Sequence, residues 1–145
     1  MEIIQNVHSY LAYVVLLVLI FAVVNAILGY AGDKLFTLEK DFRISLFGLI
    51  LAHLQLVLGL ILYLVSANGL NALLTQGIGD LNAAARLLAL EHPLINILAI
   101  ILITVGWSRH KKVLEAKKKF KTIAIFYGLG LLLILSRIPW AQWFA

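Results

Sequence analysis

The stretch VHSYLAYVVLLVLIFAVVNAILGY, residues 7–30, contains no Asp, Glu, Lys or Arg. A helix rises 1.5 Å per residue, so about 20 such positions cross the roughly 30 Å hydrocarbon core of a bilayer. The stretch predicts a transmembrane helix. Upstream, MEIIQNVHSY lacks the basic n-region of a secretory signal, and the apolar run is too long for an h-region, so the segment is expected to be retained.

Working outward, three more windows have the same character: residues 44–67, ended by Asn68 and Gly69, residues 81–107, and residues 120–140. Over all 145 residues, 63% are hydrophobic and 13% charged, and the mean hydropathy is +1.00. A soluble domain carries roughly 45–50% apolar and about 25% charged residues, so composition also points to a membrane protein. The expected fold is all-α, a transmembrane up-down four-helix bundle in one domain, residues 1–145. Lipid offers the backbone no hydrogen-bond partner, which favours helices. The chain has no cysteine, which excludes disulfides, thiolate nucleophiles and cysteine-ligated metals.

The net charge of +5 is unevenly placed. Lys34, Lys40 and Arg43 flank the first loop, and Arg109, Lys111, Lys112, Lys117, Lys118, Lys119 and Lys121 fill the third. Loops so rich in Lys and Arg stay cytoplasmic. Both termini are therefore expected on the outer side of the membrane. Trp140, Trp143, Tyr10 and Tyr63 then belong to the outer aromatic belt, and Trp107 and Tyr30 to the inner one. The basic asymmetry reads as a topology determinant rather than a nucleic-acid surface. His110, inside the basic loop, reads as solvated. Within residues 66–86 a short interfacial helix is expected, broken by Gly77 and Gly79.

Ionisable residues inside spans are costly and usually face the bundle interior. The candidates are His8, His53, Glu91, His92 and Arg137, with Asn25, Gln55 and Asn96 as polar company. His8 lies about one turn inside the outer surface and His92 about two, in the same layer as Glu91 and Arg137. His53 lies near the midplane. In an up-down bundle the first and third spans face each other diagonally. Two histidines at matched depth on such helices fit the axial ligands of a b-type haem, a cofactor that bundle cores hold. His8 and His92 are the preferred metal ligands, with His53 as the third candidate. Arg137, with Arg86, could offset the haem propionates. Glu91 and Arg137 also read as a plain interhelical ion pair, and His53 as a quinone or proton-relay group or a structural hydrogen-bonding residue. Pro93 is expected inside the third helix, where it removes a backbone bond and kinks the chain.

At HSYLAYVVLL (8–17), AHLQLVLGLILY (52–63), EHP (91–93) and KKFKTIAIFYGLGLLLILSRIPW (118–140), the chain resembles a family of small bacterial four-helix membrane proteins called cytochrome B. The family's first motif reads His-Ser-Gly-Leu-Arg-Trp, so Tyr10 stands here for its glycine and Ala12 for its arginine. The resemblance implies a b-type haem and no particular reaction.

The expected function is a membrane b-type haem protein carrying single electrons to or from quinone or a respiratory partner, rather than a stand-alone enzyme. Its partners are the lipid bilayer and other membrane subunits or a second copy. Two alternatives stand beside it: a cofactor-free accessory subunit of a larger membrane complex, and a protein that handles haem transiently.

Overall fold

A computed structural model describes residues 1–144. The four expected spans are helices long and apolar enough to cross a membrane. Helix α1 is Glu2–Ala31, α2 Arg43–Val65, α5 His92–His110 and α6 Ala116–Ser136. Three short helices accompany them: α3 Leu70–Gln76 and α4 Ala83–Arg86 in the second loop, and α7 Trp140–Trp143 after α6. Among the described residues there is no strand. The chain is an all-α four-helix bundle and a multi-pass membrane protein.

The loops explain where the helices stop. Gly77 has φ +80, a conformation that favours glycine, and it ends the short helix expected within residues 66–86. Asn82 then starts α4 by accepting a hydrogen bond from the Ala85 backbone N–H at 2.9 Å.

From Ala83 to His110 the chain is helical throughout, so Pro93 is internal as expected. The accommodation is a wide turn over Leu87–Glu91, where the His92 N–H reaches back five residues to the Leu87 carbonyl. Proline has no N–H to offer the fourth carbonyl back, and its ring crowds that oxygen. Widening the preceding turn re-satisfies the backbone where lipid would not.

Helices α1 and α5 each pack against α2 and α6, so α1 faces α5 across one diagonal and α2 faces α6 across the other. In lipid, helices associate by close packing and hydrogen bonds rather than by expelling water. Small residues accordingly fill the seams: Ala22, Ala26, Ala52 and Ala99 are fully buried. A Cβ at Gly130 of α6 would lie 2.9 Å from the Ala99 carbonyl and 2.8 Å from Ile103 Cγ1, so only glycine admits this approach of α5. Gly48 makes room in the same way for Leu19 and Tyr127. The Tyr127 hydroxyl donates a 2.7 Å bond to the Ser45 carbonyl across the α2–α6 diagonal. Leu17, Phe21, Phe47 and Leu132 point outward, as lipid-facing residues should.

The basic end is more ordered than its charge suggests. Asp41 is buried and accepts from Asn25 Nδ2 (2.8 Å), the Thr37 backbone N–H (2.8 Å) and the Thr37 hydroxyl (3.0 Å). His110 corrects the expectation of a solvated residue, because its exposure is 0%. Helix α5 runs three residues past Trp107, and Phe36, Phe42 and Trp107 pack around the imidazole.

Candidate functional site

Away from the basic end the bundle opens. A cavity of about 300 Å³ lies between α1, α2 and α5, and the chain after α6 lines it with Ile138, Pro139 and Trp143. Its space comes from short side chains on the walls, Ser9, Ala12, Ala52 and Gly59. Trp143 closes one side, its ring 4.4 Å from that of Tyr13.

His8 from α1 and His92 from α5 both line this cavity. Their ring centroids are 6.4 Å apart, with planes crossed at 79°. An imidazole nitrogen lies about 2 Å from a bound first-row metal and the ring centroid about 1 Å further, so two imidazoles on opposite sides of one metal stand about 6 Å apart. The observed spacing matches.

Hydrogen bonding decides which nitrogens are available. His92 Nδ1–H donates to the Arg137 carbonyl at 2.7 Å, which leaves Nε2 as the lone-pair nitrogen. Metal-binding histidines are commonly fixed by such a bond from the other ring nitrogen. Asn96 Nδ2 donates to the His92 carbonyl at 2.6 Å and reinforces the turn. On the opposite wall, Gln55 Nε2 donates to the His8 carbonyl at 2.8 Å and stands 3.5 Å from His8 Nε2. His8 Nδ1 is buried with no partner. Gly59 lies against the ring edge, where a Cβ would sit 3.1 Å from His8 Cε1.

Glu91 and Arg137 lie beside this layer, as the sequence suggested. The Glu91 carboxylate is shared, with Arg86 Nε at 3.0 Å and Arg137 Nε at 3.3 Å. The Arg137 guanidinium is thus an ion-pair partner, while its carbonyl orients His92.

His53 is elsewhere. It lies on an exposed face of α2 in a separate groove, its Nδ1–H donating to the Leu49 carbonyl at 2.8 Å. The structure therefore brings His8, His92 and Arg137 together and leaves His53 apart. Gln55, Asn96 and Trp143 complete the site. The first two were legible only as polar residues inside spans, and Trp143 only as an aromatic of the belt.

The residues suit a haem better than a bare ion. Among the described residues no group of three or more His, Cys, Asp or Glu converges. Two imidazoles at this ring spacing would suit a metal whose remaining positions are filled by a group it brings with it. The cavity volume is at the small end of the range for cofactor pockets. The fold and site define a multi-pass four-helix bundle with a two-histidine cavity toward one end. No family model, curated protein or solved structure matches the chain.

Proposed function

We propose that the chain holds one b-type haem between His8 and His92 and carries single electrons within a bacterial cytoplasmic membrane. The observation that carries this reading is the 6.4 Å separation of two histidines on diagonal helices, one with its Nε2 left free. A haem held in this way supplies a reversible one-electron iron couple.

The chain's own residues do the rest. Arg137 fixes the His92 tautomer through its carbonyl, and Gly59 lets the edge of the His8 ring approach α2 closely. Ala12, Ala52, Leu56 and Ile100 give the cavity one apolar wall. Were His8 and His92 both to hold the iron, they would leave it no open position for a substrate, which favours a carrier over a stand-alone enzyme. Ten of the twelve Lys and Arg flank the first and third loops, and this supports a cytoplasmic basic end with both termini in the periplasm. The electron partner on this reading is a quinone or a respiratory subunit.

The test is the absorption spectrum of protein purified from haem-supplied cells. We expect α and Soret bands at one haem per chain, lost in His8→Ala and in His92→Ala and kept in His53→Leu. Bands that persist in His92→Ala would overturn the ligand assignment. A colourless protein arriving with a stoichiometric membrane partner would favour the accessory-subunit reading.

A further inference from the structure

His53 is the tenth residue after Arg43 in the 23-residue helix α2, so it lies near the middle of the span. Its side chain faces a groove of about 260 Å³ between α2 and α5, otherwise lined by Leu56, Ile97, Ile100, Ile101, Thr104 and Val105. An imidazole facing hydrocarbon is costly unless something pairs with it.

Its own helix satisfies only half of it. Nδ1 faces a carbonyl, so Nδ1 carries the proton and Nε2 is an acceptor. The neighbouring polar atom is Thr104 Oγ1, 3.3 Å away, and that hydroxyl already donates to the Ile100 carbonyl at 2.7 Å. One proton is shared at best between the two acceptors, and the shorter contact takes the larger part of it. The groove thus presents an acceptor held by only one long, shared contact at mid-membrane depth, in a slot with aliphatic walls. Leu56 and Ile100 line both this groove and the His8–His92 cavity, so one layer of side chains separates the two.

We propose that the groove beside His53 docks the head group of a lipid-soluble hydroquinone, whose hydroxyl donates to His53 Nε2. The occupant must carry a hydrogen-bond donor, be flat enough for a slot between two helices, and reach it through lipid. A phospholipid headgroup stays at the interface and is not flat, so it does not reach or fit this slot. The choice of a redox-active lipid over another apolar alcohol rests on the haem reading, through the shared wall. The neutral tautomer also discriminates: Nε2 accepts from a hydroquinone hydroxyl and has nothing to donate to a quinone carbonyl. The reduced form should therefore bind more tightly than the oxidised form.

The experiment is nitrogen NMR of ¹⁵N-histidine-labelled protein in phosphatidylcholine vesicles, titrated anaerobically with duroquinol and then with duroquinone. The chain has four histidines, so single substitutions assign every ring resonance. We expect duroquinol to shift one Nε2 resonance upfield saturably, that resonance to be missing in His53→Gln, and duroquinone to bind about fivefold to tenfold more weakly, the net worth of one hydrogen bond. Ile101→Trp, which fills the groove from α5, lies outside the His8–His92 cavity and leaves His53 in place, should abolish the shift. The proposal is overturned if duroquinol leaves the His53 resonance unmoved, or if all histidines respond alike. It is also overturned if the resonance follows the protein-to-lipid ratio instead, which would mean that a second copy covers the groove. The titration needs no haem: a colourless protein with the His53 response loses only the haem reading, and a haem-bearing protein without it loses only this one.

Discussion

Arg137 holds His92 with its backbone and Glu91 with its side chain, so one residue at the end of α6 supports both the imidazole and the acid next to it in sequence. The two contacts separate by mutation. Arg137→Ala keeps the carbonyl and loses only the guanidinium, so the haem-to-protein ratio should match wild type. The freed Glu91 keeps Arg86, and a partly exposed pair of this kind contributes under about 1 kcal/mol. A ratio halved or worse would show the guanidinium acting on the cofactor directly. Spectral titration with haem measures it.

Tyr127 joins α6 to α2 in the solid half of the bundle. Tyr127→Phe removes one hydrogen bond and should cost about 0.5–1.5 kcal/mol. Tyr127→Ala also empties a fully buried site and should cost about 3–5 kcal/mol. Unfolding in mixed micelles, followed by helix signal against the mole fraction of denaturing detergent, measures both, and equal costs would contradict the packing described.

At Gly130 the nearest atom that cannot move aside is the Ala99 carbonyl oxygen. Gly130→Ala therefore forces α5 and α6 apart and should destabilise by about 1–3 kcal/mol. Gly79, whose Cβ position meets nothing within 4 Å, is the control, and Gly79→Ala should leave the same unfolding midpoint unchanged.

The chain has no cysteine, so a single introduced thiol reports its own side of the membrane. In intact cells with a permeable outer membrane, Asn71→Cys should react with a membrane-impermeant maleimide. Lys118→Cys should react only after the inner membrane is opened. The reverse pattern would invert the orientation.

The four spans were legible because hydropathy over about 20 residues survives any error in local register, and the matched depth of His8 and His92 followed from counting residues along them. What failed to show had tertiary causes. His110 looks like one more member of a basic loop, and its burial depends on Phe36 and Phe42, which arrive from a different loop. Pro93 announces an interrupted helix, whereas whether the chain answers with a kink or with the wide turn at Leu87–Glu91 is set by the packing around it. His53 and Gln55, two residues apart, already point to different faces of one helix, and the packing of α1 and α5 decides what each face meets.

The contrast between a filled lower half and a hollow upper half makes the bundle a pair of tongs. Leu19, Ala99 and Gly130 form the pivot, and α1 and α5 are the arms that carry His8 and His92 beyond it. A shift of α5 at Gly130 should be larger at the far end of the helix, so we expect the spacing of the two rings to depend on residues that touch neither of them. A methyl group added at Gly130 would then loosen that grip before it unfolded the chain.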